Sequence, residues 1–307
     1  MHTLRKYLHA MALIPNHNLQ EKYTALLNVT KLLLRSMGQI MLQGNAITGC
    51  LFLLAVSIGS LPMGVAMVVA TLTAYTTAHL IGFDKNAFQE GMFGFSAALV
   101  GVSLVLFFKP GAVLWVVLVM AAAVATILQH IFIRLHIPVF TLPFVWVAWG
   151  CIYLFPAVKL LTLKVSEAMP IAQEIDIAFP LRGYGQVIFQ DKLIPGVFFL
   201  LGVMVASPWA ALMGVMAAIF SGWVSYGLLG ASLSSLNMGL LSYNAVLCAI
   251  AFTDTSNKWF LWVFLSVILC IGIEWLMRFT ILPPLTFPFV LASILTTLIK
   301  NKRKNKN

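Results

Sequence analysis

An all-α integral membrane protein built from two inverted copies of one unit is the fold class this sequence predicts, on three observations. Hydrophobic residues fill 61% of its 307 positions, charged residues only 9%, and the mean hydropathy is +0.97. Soluble domains carry roughly 25% charge, so this chain belongs in lipid. Its apolar residues fall in runs of about 20, the length a helix needs to cross a bilayer core of roughly 30 Å, and show none of the alternation of barrel strands. Third, residues 34–56, LRSMGQIMLQGNAITGCLFLLAV, return at 181–203 as LRGYGQVIFQDKLIPGVFFLLGV, with 11 of 23 positions identical at a constant offset of 147.

In chain order, residues 1–33 read as a cytoplasmic N-terminal segment. Residues 1–20 are polar, carry Arg5 and Lys6, and lack the apolar core and cleavage site of a secretory signal. Residues 21–33, EKYTALLNVTKLL, read as a short interfacial helix interrupted by Lys31. The first repeat follows over 34–156, with spans at 45–59, 62–82, 91–108, 112–134 and 139–156. Pro62, Pro110 and Pro138 stand at span boundaries, where a missing N–H does least harm. Residues 157–180, with Lys159, Lys164, Glu167, Glu174 and Asp176, form an extracytoplasmic linker. The second repeat covers 181–300, with spans at 193–206, 209–229, 237–253, 259–278 and 285–300, and 301–307 make a basic cytoplasmic tail.

Five spans per half have a geometric consequence: the second copy enters the membrane from the opposite face, so the repeats are inverted. Charge agrees. With both termini inside, 13 of the 19 lysines and arginines are cytoplasmic and six are not, the bias that orients multi-pass proteins. Clustered at the ends, these cations read as membrane anchors and not as a nucleic-acid surface. The four cysteines lie singly in apolar runs without CxxC spacing, so neither disulfides, a metal nor another cofactor is expected. Glu274 and Arg278, four residues apart, are expected to pair near a membrane face.

Two further repeats locate the chemistry. GMFGFSAALVGV over 91–102 answers GLLSYNAVLCAI over 239–250, placing Leu99 opposite Leu247. PVFTLPFV over 138–145 answers PPLTFPFV over 283–290, placing Thr141 opposite Thr286. Each half thus supplies a Gln (Gln39, Gln186), a Leu and a Thr in the same order. The proline of T-x-P-F is expected to free a carbonyl in the preceding turn, and the threonine hydroxyl offers another oxygen. The Gly-Gln pair before a short helical stretch reads as the end of a re-entrant helix, with its oriented dipoles. Two facing rows of neutral acceptors between apolar walls suit a small, flat, uncharged solute with several N–H donors and oppose ions.

The strings GQIMLQGNAITG, GFSAALVG and PVFTLPF, with their partners GQVIFQDKLIPG, SYNAVLCA and LTFPF, closely resemble the urea transporter family over residues 34–298. That resemblance implies a passive, channel-like urea pathway and two inverted repeats, each of five spans plus one re-entrant helix. It also implies a homotrimer with one pore per protomer. Gln39 and Gln186, neighbouring carbonyls, Thr141 and Thr286 would supply acceptor oxygens, while Leu99 and Leu247 border the slot. Valine at either threonine is then expected to lower urea passage. The chain departs from the family's Asn-Asn-Pro at Gly44-Asn45-Ala46 and Asp191-Lys192-Leu193, and from Gly-Tyr/Phe-Asn at Gly94-Phe95-Ser96. The placement is multi-pass in the cell inner (plasma) membrane. The competing class is a proton- or ion-coupled secondary transporter of a small amide, which needs a titratable group in the pathway, and neither half repeats a carboxylate. An enzyme would need a nucleophile, metal or paired-aspartate motif, and none is present.

Overall fold

The computed structural model describes residues 17–138, 140–165, 169, 171–254, 256 and 258–304. Residues 1–16 of the expected N-terminal segment, Glu167 of the linker and 305–307 of the basic tail lie outside the described residues. The first half comprises α1 (His17–Gly38), a 3₁₀ turn (Gln39–Met41), α2 (Ala46–Gly59), α3 (Leu61–Ile81), α4 (Lys85–Gln89), α5 (Phe95–Phe107), α6 (Ala112–Arg134) and α7 (Leu142–Ala157). The second comprises α8 (Phe179–Gln186), α9 (Leu193–Ala206), α10 (Pro208–Gly227), α11 (Leu233–Asn237), α12 (Tyr243–Phe252), α13 (Trp259–Met277) and α14 (Phe287–Lys304).

Among the described residues, α3, α6, α10 and α13 are each long and apolar enough to cross a membrane alone. The chain is thus an all-helical, multi-pass membrane protein. The segment Glu21–Met41 meets α2 at a bend of 76°, so the first motif is a broken element. The short interfacial helix expected over 21–33 is instead one helix running through Gly38, because nothing between Glu21 and Gly38 breaks it. In the second half Pro180 starts a helix of only 8 residues at the equivalent place. At the far end α14 runs to Lys304, so the first residues of the predicted tail continue the helix.

The repeated glycines have a steric cause. A Cβ on Gly49 would lie 1.7 Å from the Leu34 carbonyl oxygen, and one on Gly196 2.1 Å from that of Leu181. α2 therefore crosses α1, and α9 crosses α8, with backbone against backbone. Local conformation recurs at the repeat offset too: Leu42 and Phe189 have φ of 61° and 58°, Phe140 and Leu285 of 49° and 45°. The short helices α4 and α11 start on Asp84 and Ser232, whose side chains accept from Ala87 and Ser235 N–H.

The core sits around α5 and α12. All residues of 95–105 and 243–250 are buried, as expected of helices apolar on every side. α2 packs on α9 across the halves, with Phe52 and Phe199 ring centroids 5.0 Å apart and Thr48 Oγ1 donating to the Gly202 carbonyl at 2.7 Å. The linker is tied down: Lys109 N donates to Thr162 O, Lys164 N to Phe107 O, and Lys164 Nζ to Val105 O at the end of α5. Glu274 and Arg278 do not form the expected ion pair. Arg278 donates instead to the Leu229 carbonyl, on another segment, at 3.2 Å.

Candidate functional site

The threonines of the two T-x-P-F motifs meet. Thr141 Oγ1 and Thr286 Oγ1 lie 2.6 Å apart in a direct hydrogen bond, and both residues are buried. Phe52 and Phe199, another pair of repeat counterparts, likewise touch each other. The hydroxyls point away from their own helices, so back-bonding to the preceding turn is not their role. The expectation about the prolines fails. Pro143 and Pro288 fall in the first turn of α7 and α14, where no intrahelical donor is lost and no carbonyl is freed.

Each threonine follows a residue with positive φ, Phe140 or Leu285, so each is aimed by a strained turn. The two turns are braced differently. The Leu285 carbonyl accepts from Tyr243 Oη at 2.6 Å and Asn244 Nδ2 at 3.2 Å, and Trp149 Nε1 holds the Pro283 carbonyl at 2.9 Å. The first half has Phe95 and Ser96 in place of Tyr243 and Asn244, and Ser96 bonds Gln129 instead. Thr286 is therefore the more firmly held member of the pair. Phe140 and Phe289 pack edge to face beside it, with centroids 5.1 Å apart.

The glutamines occupy equivalent positions at the ends of α1 and α8. Gln39 Nε2 donates to the Glu90 carbonyl at 3.1 Å, and Gln186 Nε2 to the Met238 carbonyl at 2.9 Å. With the donor side engaged, each amide keeps its oxygen as an acceptor. Both bonds tie the glutamine to the turn that leads into α5 or α12, the helices of Leu99 and Leu247. Those leucines are fully buried, which excludes a lipid-facing position. In each half the Gln element packs on the Leu helix and the Leu helix on the Thr helix, while α7 meets α14 where the threonines touch.

A family model described as "Urea transporter" matches residues 30–301. The chain belongs to the urea transporter family. Among its relatives is "Urea transporter 1" of Mus musculus, 27% identical over 301 residues that cover 89% of this chain and 77% of the relative. The proteins of that name from Rattus norvegicus and Ovis aries are 26% and 25% identical with the same coverage.

In this member of the urea transporter family, sequence reading missed four residues that shape the site. Leu42 and Phe189, three positions after each Gln, end the turns that follow α1 and α8 in a left-handed conformation that non-glycine residues rarely adopt. Their alignment at offset 147 was the available signal, but nothing local marks positive φ. Tyr243 and Asn244 were visible only as departures from Phe95 and Ser96, since their bonds span about 40 residues.

Proposed function

We propose that this protein conducts urea passively, down its gradient, between two inverted repeats (34–156 and 181–300), each of five spans plus a re-entrant helix. The carrying observation is the hydrogen bond between Thr141 and Thr286, counterpart positions of the two copies. The names of the relatives, each a "Urea transporter 1", give the same substrate. Urea enters where Gln39 or Gln186 offers an amide oxygen, slides past Leu99 and Leu247, and trades N–H bonds with water for N–H bonds to protein oxygens. At the midpoint the two hydroxyls at rest bond each other and leave no room between them. Urea therefore replaces one hydroxyl–hydroxyl bond with two N–H···O bonds as the threonines part. Ions fail there because no fixed countercharge offsets their desolvation.

The protein works as a homotrimer in the cell inner membrane with both termini cytoplasmic, one pathway per protomer. Uptake of radiolabelled urea into proteoliposomes, with and without a proton or sodium gradient, tests the reading. Equilibration to the outside concentration in every case is expected. Accumulation above it under a gradient would establish the coupled transporter instead.

A further inference from the structure

The two halves treat the arginine of their shared LR motif differently, and the difference exposes a second site. Arg182 is neutralised: its guanidinium pairs with the Asp176 carboxylate and donates to the Asn237 carbonyl. The Ala178 N–H donated to the Asp176 carboxylate, together with the Arg182 pair, holds the Asp176 carboxyl below the usual aspartate range. Arg35, its repeat counterpart, makes the matching bond to the Gln89 carbonyl at 3.2 Å, but among the described residues no carboxylate pairs with it.

Arg35 instead borders a cleft of about 450 Å³ between α1, α3 and α4. One face of α1 presents Asn28, Lys31 and Arg35 to it, and Tyr75 and Gln89 add an O–H and an amide, while no acidic side chain lines it. Glu90, the adjacent acid, forms no ion pair with Arg35. Leu32 and Phe88 make its remaining wall apolar. Residues 1–16 hold Arg5 and Lys6 and no acid, so they do not supply the missing countercharge.

We propose that this cleft binds the phosphate of an anionic phospholipid headgroup. Arg35 and Lys31 would hold the phosphate, and Asn28 and Gln89 would donate to the ester or glycerol oxygens. Leu32 and Phe88 would carry the first acyl carbons. A basic pocket with an aromatic rim near the membrane surface fits a lipid anion, and the proposed topology puts it in the cytoplasmic leaflet, where such lipids concentrate. The cleft's lining includes none of the Gln, Leu and Thr positions of the urea pathway, and its assignment to the cytoplasmic leaflet rests on the proposed topology.

Native mass spectrometry of the delipidated full chain tests this, titrating phosphatidylglycerol, phosphatidylcholine or inorganic phosphate. Lys31 is exposed and tolerates change, and Lys31→Glu gives Arg35 an internal acid one turn away, as Asp176 serves Arg182. Phosphatidylglycerol should bind the wild type well ahead of phosphatidylcholine. Lys31→Glu should weaken it roughly 30-fold, since each unit charge near the surface is worth about fivefold and two units change. Arg35→Gln, a change of one unit, should weaken it about fivefold, and thermal unfolding of both variants separates lost binding from lost folding. Equal binding of the two lipids, or unchanged binding in a folded Lys31→Glu protein, overturns the site. Displacement of phosphatidylglycerol by millimolar phosphate overturns the lipid as ligand and assigns a free phosphate.

Discussion

Replacing Thr141 and Thr286 by valine, singly and together, separates the resting pair from the passing solute. At rest the wild type holds one hydroxyl–hydroxyl bond, and with urea between the side chains it holds two, a net gain of one. A single valine has no such bond at rest and one during passage, again a net gain of one. The double variant gains none. At about 1 kcal/mol per neutral hydrogen bond, each single variant should conduct urea near the wild-type rate and the double variant about fivefold more slowly. This revises the expectation that either valine alone slows passage. Stability should run the other way. A single valine strands a buried hydroxyl, costing about 1–3 kcal/mol, whereas paired valines of similar shape are nearly neutral. Urea efflux from proteoliposomes followed by light scattering gives the rates, and thermal unfolding in detergent gives the stabilities. Single variants as slow as the double, or a double variant at wild-type rate, would refute the reasoning.

Gly49→Ala and Gly196→Ala should each destabilise the protein by about 3 kcal/mol or more, because the new methyl meets a backbone carbonyl that cannot yield; unfolding temperature in detergent reads this. Tyr243→Phe leaves Asn244 on the Leu285 carbonyl and should cost about 1 kcal/mol, whereas Tyr243→Phe with Asn244→Ser strands that carbonyl and should cost about 2–3 kcal/mol by the same melts. Asp176 is held below its ordinary value of 3.8, so its anchoring of the linker is complete above that pH and is lost as pH falls through and below it. Limited proteolysis of the linker should accelerate over that window in the wild type, and Asp176→Asn should be cut quickly at every pH.

Helix placement was legible where apolar length and proline or serine boundaries coincide, as at Ser60-Leu61-Pro62 and Ser207-Pro208. The repeat identified the Gln, Leu and Thr positions, because a residue kept at both copies of a unit has a shared structural reason. It did not reveal that the threonines bond each other, since that bond joins residues 145 apart. Proline chemistry was misread because the T-x-P-F string does not say whether proline sits within a helix or starts one. The ion pair assigned to Glu274 and Arg278 failed for a related reason: spacing places two groups on one face, but the Leu229 carbonyl from another segment competes for the guanidinium.

An experimental density map of the protein soaked in concentrated urea tests the central claim most directly. The account predicts a planar solute between Thr141 and Thr286, with their hydroxyls parted from 2.6 Å to roughly 5 Å so that each accepts an N–H at about 2.9 Å. Urea resolved along another route while the two hydroxyls remain bonded to each other would contradict it.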